Sequence, residues 1–379
     1  MTGVLLESSR RDRRDSLEGY AYFDYTMVDR KINIGVIGYG QWGPNFARVL
    51  TGLDDVKVAG ICDQDLDKRI LIKRAWCGVP VFSSYRGLLN DLSVDAVVVA
   101  TPVSTHYQIA KHALEAGKHV LVEKPLSANS AQAEDLVRLS QRINRLLMVG
   151  HTFLYNPAVR KVKEILISKA LGKLYYIHSR RTNLGPLRQD VNAIWDLSPH
   201  DISIINYLLD ALPLEAAAVG WNFLAHDLND VGFISLKYPH SIPAHIHVSW
   251  LDPKKIREMT IVGSKKMLVY DDTDTREPIK LYDKLVMKKK FDSPYASFRE
   301  FQLILRSGGV SVPKIEHEEP LKIECLHFVD CIRHNKRPQT DAAQGSDIVR
   351  VLEAIDRSTA SGGARVKIDP GSSQRFIQP

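Results

Sequence analysis

The chain has 379 residues, 44% of them hydrophobic and 25% charged, with a formal net charge of +7. At roughly 100–200 residues per domain this is too long for one core, and the composition is that of a water-soluble globular protein. No stretch approaches the ~18–20 unbroken apolar residues of a membrane-spanning helix. Lys and Arg are scattered, and the densest basic group, Lys288 to Lys290, reads as a solvated edge or loop among strands rather than a nucleic-acid footprint.

Residues 1–30 contain "SSRRDRRDS", which alternates Arg with Asp and has no apolar segment after it, so it is no secretory signal. Its acids (Glu7, Asp12, Asp15, Glu18) argue against a transit peptide. The segment reads as a disordered extension, and Met27 is a candidate start because "VDRKINIGVIG" opens the first domain directly. Four cysteines (Cys62, Cys77, Cys325, Cys331) show no CxxC spacing and no histidines at zinc-site distances. Nothing suggests a disulfide framework, so a reducing, cytoplasmic setting is expected. Cys62, within an apolar strand, reads as a small buried thiol.

From Lys31 short apolar strands alternate with helix-length segments. "KINIGVIG" is a strand and 41–53 a helix; "VKVAGICD" is a strand and 65–76 a helix; "VDAVVVAT" precedes a helix over about 104–116, and "HVLVE" follows. Val- and Ile-rich strands without polar alternation are buried on both faces, which implies a parallel sheet flanked by helices. Residues 31–150 therefore read as a doubly wound α/β domain.

Within it, "GVIGYGQWG" sets Gly38, Gly40 and Gly43 in a GxGxxG frame that follows a strand and opens a helix, the context that gives the motif its meaning. Gly38 permits the tight turn, Gly40 lets backbone approach a pyrophosphate, and Gly43 lets helix and strand pack closely. Gln41 and Trp42 lie in the same turn, where the free N–H groups of the helix start meet phosphates. Asp63, at the end of the second strand, stands where a carboxylate accepts from adenosine ribose hydroxyls and repels a 2′-phosphate. The domain is thus expected to bind NAD in a Rossmann fold. Lys68 and Arg69 keep NADP open.

Thr101 and Pro102 end the next strand at the carboxyl edge, where open α/β sheets place ligands. Ser104 or Thr105 can cap the following helix. His106 falls in its first turn, as a structural or a cofactor-facing residue. "HVLVEKPLS" then delivers Glu123 and Lys124 to the same edge, and Pro125 biases Lys124 toward an extended backbone. By residue chemistry alone Lys124 is either a strand terminus or a cation that polarises a carbonyl and stabilises an alkoxide.

After residue 150 the pattern changes. "KLYYIHSRR", "LEAAAVGWNF", "DVGFISLKY", "PAHIHVSW", "MTIVGS", "KMLVYDD" and "IKLYDK" are strands, several of them alternating in polarity as an antiparallel sheet does. A helix is expected over about 198–211, others near 321–335 and 344–360, and a last strand at "ARVKID". Residues 151–370 read as an α+β domain with a large open, mainly antiparallel sheet.

The strand-linked GxGxxG, "ATP…H" and "EKP", in this order, resemble the Gfo/Idh/MocA oxidoreductases, the glucose–fructose oxidoreductase and inositol dehydrogenase relatives. The resemblance runs from about Lys31 to Asp369 and includes "EPLKIECLHFVDCIRHNKRPQTDAAQGSDIVRVLEA". It implies a Rossmann domain followed by an α+β domain whose sheet commonly makes the subunit contact, hence a homo-oligomer, dimer or tetramer. It also implies an aspartate and a histidine four residues apart, and "WDLSPHDIS" offers Asp196 and His200. Positions i and i+4 share a helix face. Pro199, however, suits only a first turn, so Ser198 is expected near the N-cap with Asp201 in a capping box.

Two segments, "GHTFLYNPA" and "RTNLGPLRQDVNAIWDL", depart from the inositol dehydrogenases and are similar to members acting on nucleotide-linked sugars. Tyr155, Asn156, Asn183, Arg188 and Asn192 are the candidate substrate contacts; Trp195 and Trp221 read as core. The resemblance implies an NAD-dependent dehydrogenase or reductase for a secondary alcohol or ketone of a sugar, with a nucleotide sugar as the expected substrate. His200 would be the acid–base group, its ordinary pKa of about 6.5 suiting the task. Lys124 would stabilise charge on the substrate oxygen, and Asp196 would orient the pair. No HExxH or clustered ligand set calls for a metal. The family's NAD-using glycoside hydrolases and its non-catalytic regulators are the alternatives; retention of Lys124, Asp196 and His200 disfavours the regulators.

Overall fold

The computed structural model describes residues 30–185, 188–224, 228–286 and 305–369. The expectations for the amino-terminal extension, for Met27 as a start and for Lys288 to Lys290 lie outside those residues. The first sheet holds β1 (Ile32–Ile37), β2 (Val56–Cys62), β3 (Val81–Phe82), β4 (Ala96–Val99), β5 (His119–Glu123) and β6 (Leu147–Gly150), all parallel, in the order β3-β2-β1-β4-β5-β6. Its central strands are buried on both faces, as their unbroken apolar runs require. Helices α1 (Gly43–Thr51), α2 (Leu66–Ala75), α3 (Tyr85–Leu89), α4 (Val103–Glu115) and α5 (Ser130–Arg142) make the crossovers. Strand order reverses between β1 and β4, so their carboxyl ends open a crevice at the switch point, where such sheets bind ligands. This is the Rossmann arrangement.

The second sheet contains β7 (Leu174–Leu184), β8 (Glu215–Trp221), β9 (Val231–Tyr238), β10 (Ile242–Ser249), β11 (Leu251–Gly263), β12 (Met267–Asp271), β13 (Ile279–Val286), β14 (Leu305–Ser311) and β15 (Val366–Lys367). Their order is β14-β13-β12-β11-β7-β10-β9-β8-β15, antiparallel except for β7 beside β10. A 3₁₀ turn (Thr152–Tyr155) and α6 (Pro157–Ile167) lead into it, and α7 (Ala193–Leu209) packs against β10. Helices α8 (Pro320–His334) and α9 (Ala342–Ala360) return the chain to the first sheet. There Val149 N donates to Thr340 O at 2.8 Å, and Ser130 N and Oγ both donate to the Glu353 carboxylate at 2.7 Å. The two sheets thus share their carboxyl-terminal helices, which holds the crevice of the first against the wall of the second.

Helix α7 corrects the sequence reading. It begins at Ala193, not near Ser198: Asn192 caps it by accepting from Trp195 N at 2.9 Å, and Ala193 N donates to Asn229 O at 2.8 Å. Pro199 lies inside the helix and Ser198 is buried mid-turn. The missing N–H of Pro199 leaves the Trp195 carbonyl without its helical donor; the next carbonyl, that of Asp196, accepts from Lys124 Nζ at 2.7 Å. Asp201 makes no capping box; it pairs with Arg181. Trp195 is buried as expected, but Trp221, at the end of β8 on the open sheet face, is 46% exposed. Likewise α4 starts at Pro102 without a side-chain cap, and Thr105 Oγ1 instead donates back to Pro102 O at 2.7 Å. Among the described residues no helix is long and apolar enough to cross a membrane, and no group of three or more metal-ligating side chains gathers.

Candidate active site

The crevice at the switch point deepens into a cavity of about 670 Å³, walled by the carboxyl ends of β1, β2, β4 and β5 and by residues of β7, α7 and β11. That volume suits a cofactor-sized ligand. Gly38 turns the chain at φ +95°, and a Cβ there would lie 2.6 Å from Ala100 O. A Cβ on Gly43 would lie 2.0 Å from Gly38 O, so α1 can approach β1 only with glycine at that position. Around Gly40 nothing lies within 4 Å of where a Cβ would sit, which leaves its backbone open to the cavity. No side chain caps α1; Pro44 has no N–H and Asn45 N already donates to Trp42 O at 2.9 Å, so the backbone left for an anion is that of the glycine turn ending at Gly43. The residues therefore fit a dinucleotide.

Asp63 is 8% exposed and lines the same cavity. Its Oδ2 accepts from Tyr39 N at 2.7 Å and its Oδ1 from Asp65 N at 2.9 Å, which aims the carboxylate across the glycine turn. Lys68 Nζ stands 3.8 Å away, whereas Arg69 is committed to the carbonyl oxygens of Asp63 and Gln64. Gln41, Trp42, Thr101 and Pro102 also line the cavity. His106 lines it too, and its two ring nitrogens stand 2.8 Å from the carbonyl oxygens of Pro125 and Thr101, so it clamps the ends of β4 and β5.

Lys124 emerges from β5 with its ammonium largely enclosed, 2.7 Å from Asp196 O and 3.4 Å from Asp196 Oδ1. Arg188 Nη1 and Trp250 Nε1 complete the shell of donors on that carboxylate at 3.1 and 3.3 Å. Burial pushes the lysine below its ordinary pKa, while Asp196 and Glu123 oppose the shift. His200 shares the cavity, one turn along α7 from Asp196. Its Nδ1 is buried without a hydrogen-bond partner, and its ring packs edge-on to Phe153 with centroids 4.8 Å apart. Burial, and after it the positive charges of Lys124 and Arg181, hold the imidazole far below its ordinary pKa. The group is a neutral base, not the half-titrated one that its ordinary pKa suggests.

Of the five candidate substrate contacts, Asn183 and Arg188 line the cavity and the other three do not. Tyr155 is fully buried, its hydroxyl 3.1 Å from Thr340 Oγ1. Asn156 caps α6 by accepting from Ala158 N at 2.8 Å, and Asn192 caps α7. Thr182, Trp250, Lys255 and Arg257 also line the cavity; Lys255 and Arg257 sit in β11 with no motif around them, Trp250 lies in the bend between β10 and β11, and Thr182 falls within "RTNLGPLRQDVNAIWDL", where nothing singled it out.

Behind Lys124 lie buried groups with perturbed protonation. His151 is 1% exposed with both ring nitrogens unpartnered, and burial pushes it down to about 3. Glu123, whose Oε1 is also unpartnered, is pushed up to about 7 by burial against the opposing pull of Lys124. The unfolded histidine takes up its proton near pH 6.5 and the folded one does not, so protonation favours the unfolded chain. Stability contributed by neutral His151 should fall by about 1.4 kcal/mol per pH unit from ~6.5 toward 3. His119, pushed down to about 4, acts in the same direction. Glu123 has the opposite sign, losing stability as pH rises from 4.5 to 7. In urea titrations from pH 7 to 4, His151→Phe should show a slope shallower by about one proton; an unchanged slope would mean that His151 is charged in the fold.

The fold and its glycine cradle define a dinucleotide-binding α/β protein. Family models agree: that of the oxidoreductase family, NAD-binding Rossmann fold, matches residues 32–151, and that of the GFO/IDH/MocA C-terminal domain matches 159–269. The chain belongs to the Gfo/Idh/MocA oxidoreductase family. It is 36% identical over 182 residues to inositol 2-dehydrogenase 2 of Saccharopolyspora erythraea, covering 47% of this chain and 54% of the relative. It is 30% identical over 187 residues to UDP-N-acetylglucosamine 3-dehydrogenase of Acidithiobacillus ferrooxidans, covering 49% and 57%. These matches span about half the length of the curated relatives. The WlbA dehydrogenase from Bordetella pertussis, solved in complex with NADH and UDP-GlcNAcA, superposes with a TM-score of 0.73 over 90% of this chain and 100% of that one, at 20% identity. That likeness concerns the fold alone.

Proposed function

We propose that this protein is an NAD-dependent dehydrogenase or reductase acting on a secondary alcohol or ketone of a sugar, carried as a nucleotide sugar. The observation that carries the reading is the meeting of Lys124, Asp196 and His200 in the cavity that also holds the glycine turn and Asp63. Bound NAD supplies the carbon that accepts or returns the hydride. His200, neutral through burial, takes the hydroxyl proton as the carbon–hydrogen bond is lost, and returns it in the reverse direction. Lys124 donates to the same oxygen and stabilises the negative charge that develops there. Asp196 fixes the lysine, and is itself fixed by Arg188 and Trp250. The chemistry of the UDP-sugar relative and the departures in "GHTFLYNPA" and "RTNLGPLRQDVNAIWDL" support the nucleotide sugar. A thermal-shift and NADH-formation screen across nucleotide sugars, free sugars and cyclitols tests it. Reduction of NAD by a cyclitol alone would overturn the substrate.

The same geometry sets the cofactor preference. Like-charge juxtaposition costs on the order of several kcal/mol, and the Asp63 carboxylate is held where a 2′-phosphate needs room. NAD(H) should therefore bind tighter than NADP(H) by about tenfold or more in a fluorescence titration. Equal or tighter NADPH binding would overturn this and assign the phosphate to Lys68.

A further inference from the structure

The wall that the large sheet gives to the cavity is irregular at one place. β11 pairs with β7 through Leu251 opposite Leu184 and Ile256 opposite Thr182. Four residues, 252 to 255, thus face Asn183 alone. Such bulges take side chains out of the alternating pattern and re-aim them; Lys254 N donates to Asp252 Oδ1 at 3.0 Å within this one. The side chain that the bulge delivers to the cavity is Lys255.

Lys255 differs from the other cations around the substrate end. Lys124 is held by Asp196, Arg181 by Asp201, Arg188 by Asp190 and Asp196, and Arg257 by Asp272. Lys255 is exposed to the cavity and has no hydrogen bond or ion pair with any described residue. Opposite the bulge, the Asn183 side chain lines the cavity without a partner among the described residues. Beside it, Thr182 belongs to the other face of β7, since successive strand side chains alternate. An unpaired ammonium and a free amide on adjacent strands are donors without an acceptor. An anionic oxygen group meets both, and hydrogen bonds to ionised groups are the stronger kind.

We propose that Lys255 and Asn183 form a subsite for an anionic oxygen group of the substrate, phosphoryl or carboxylate. The inference rests on the reading of this cavity as a nucleotide-sugar site and assigns residues to the negative charge that such a substrate carries. Neutral cyclitols and free aldoses leave both donors unmet.

The test reads binding without turnover, so it can fail independently of the dehydrogenase reading, which NADH formation judges by itself. Isothermal titration of the NADH-loaded full chain with UDP, inorganic pyrophosphate, glucuronate and glucose is made on the protein as it stands and on Lys255→Met and Lys255→Arg. Lys255 lies outside the core, so both variants should fold. At least one anion should bind, and Lys255→Met should weaken it by roughly 10–100-fold, the scale of one hydrogen bond to a charged group. Lys255→Arg should recover most of the loss, and NADH affinity should not move. Binding of UDP and pyrophosphate assigns a phosphoryl group; binding of glucuronate alone assigns a carboxylate. The proposal is overturned if no anion binds, if Lys255→Met leaves the affinity unchanged, or if glucose weakens to the same extent.

Discussion

Lys124→Ala is expected to leave NAD binding nearly intact and to lower turnover ~10²–10³-fold, the scale of losing one preorganised donor to developing charge. The groups expected to hold the cofactor, the glycine turn and Asp63, do not touch the Lys124 ammonium. The substrate oxygen, by contrast, would lose a buried cation already fixed by Asp196. His200→Ala should cost ~10²–10⁴-fold, as for a positioned acid–base group. The double variant should fall short of the product of the two, since both act on one oxygen in one transition state. Steady-state kinetics beside an NADH fluorescence titration separates the two effects. A fully active Lys124→Ala protein would reduce the lysine to a strand terminus and remove the proposed mechanism with it.

How far this site was legible depended on whether a residue announces itself through its neighbours. The glycine turn and Asp63 did so, because glycine spacing and an acid after the second strand are local patterns that only one topology explains; Lys124 was left open by its own chemistry and owed its role to the family likeness of "EKP". The start of α7 did not. Pro199 looks like a first-turn residue by its own chemistry, yet the helix begins at Ala193, where Asn192 and a hydrogen bond to Asn229 O set it. Tertiary contacts thereby outweighed a local rule. The same limit explains Tyr155, Asn156 and Asn192. Each is polar and near the right place in the chain, but each is consumed by a cap or a buried hydroxyl pair that only the fold reveals. Lys255 is the converse case. Nothing around it in the sequence marks a site, because its direction is set by a bulge between β11 and β7. His200 was named through the family resemblance, but its protonation was not legible, since burial and the cations of three other elements bear on it.

Asp201→Ala should be among the most destabilising single changes in the chain. Its carboxylate accepts from Arg181 Nε at 2.8 Å, from Arg181 Nη2 at 3.3 Å and from Ser179 Oγ at 2.7 Å, and all of these side chains are buried. Removing the acid strands a guanidinium and a hydroxyl in the interior, a loss of about 3–5 kcal/mol. A functional loss should accompany it. The Arg181 guanidinium lies 4.5 Å above the Phe153 ring, which in turn packs edge-on to His200, so the ion pair positions His200 through one aromatic ring. Asp201→Asn keeps an acceptor for Ser179 and for one guanidinium N–H, and should cost less in stability while still lowering kcat. Arg181→Met combined with Asp201→Leu removes the stranded charge and should recover much of the urea midpoint, because a buried ion pair is often no stronger than a well-packed apolar pair. It should not recover kcat, since the nearer of the two cations over Phe153 is gone, leaving only Arg257 at 5.8 Å. If Asp201→Ala unfolds within about 1 kcal/mol of the parent, the pair is not the anchor described. If the double variant regains full kcat, Arg181 has no hand in positioning His200.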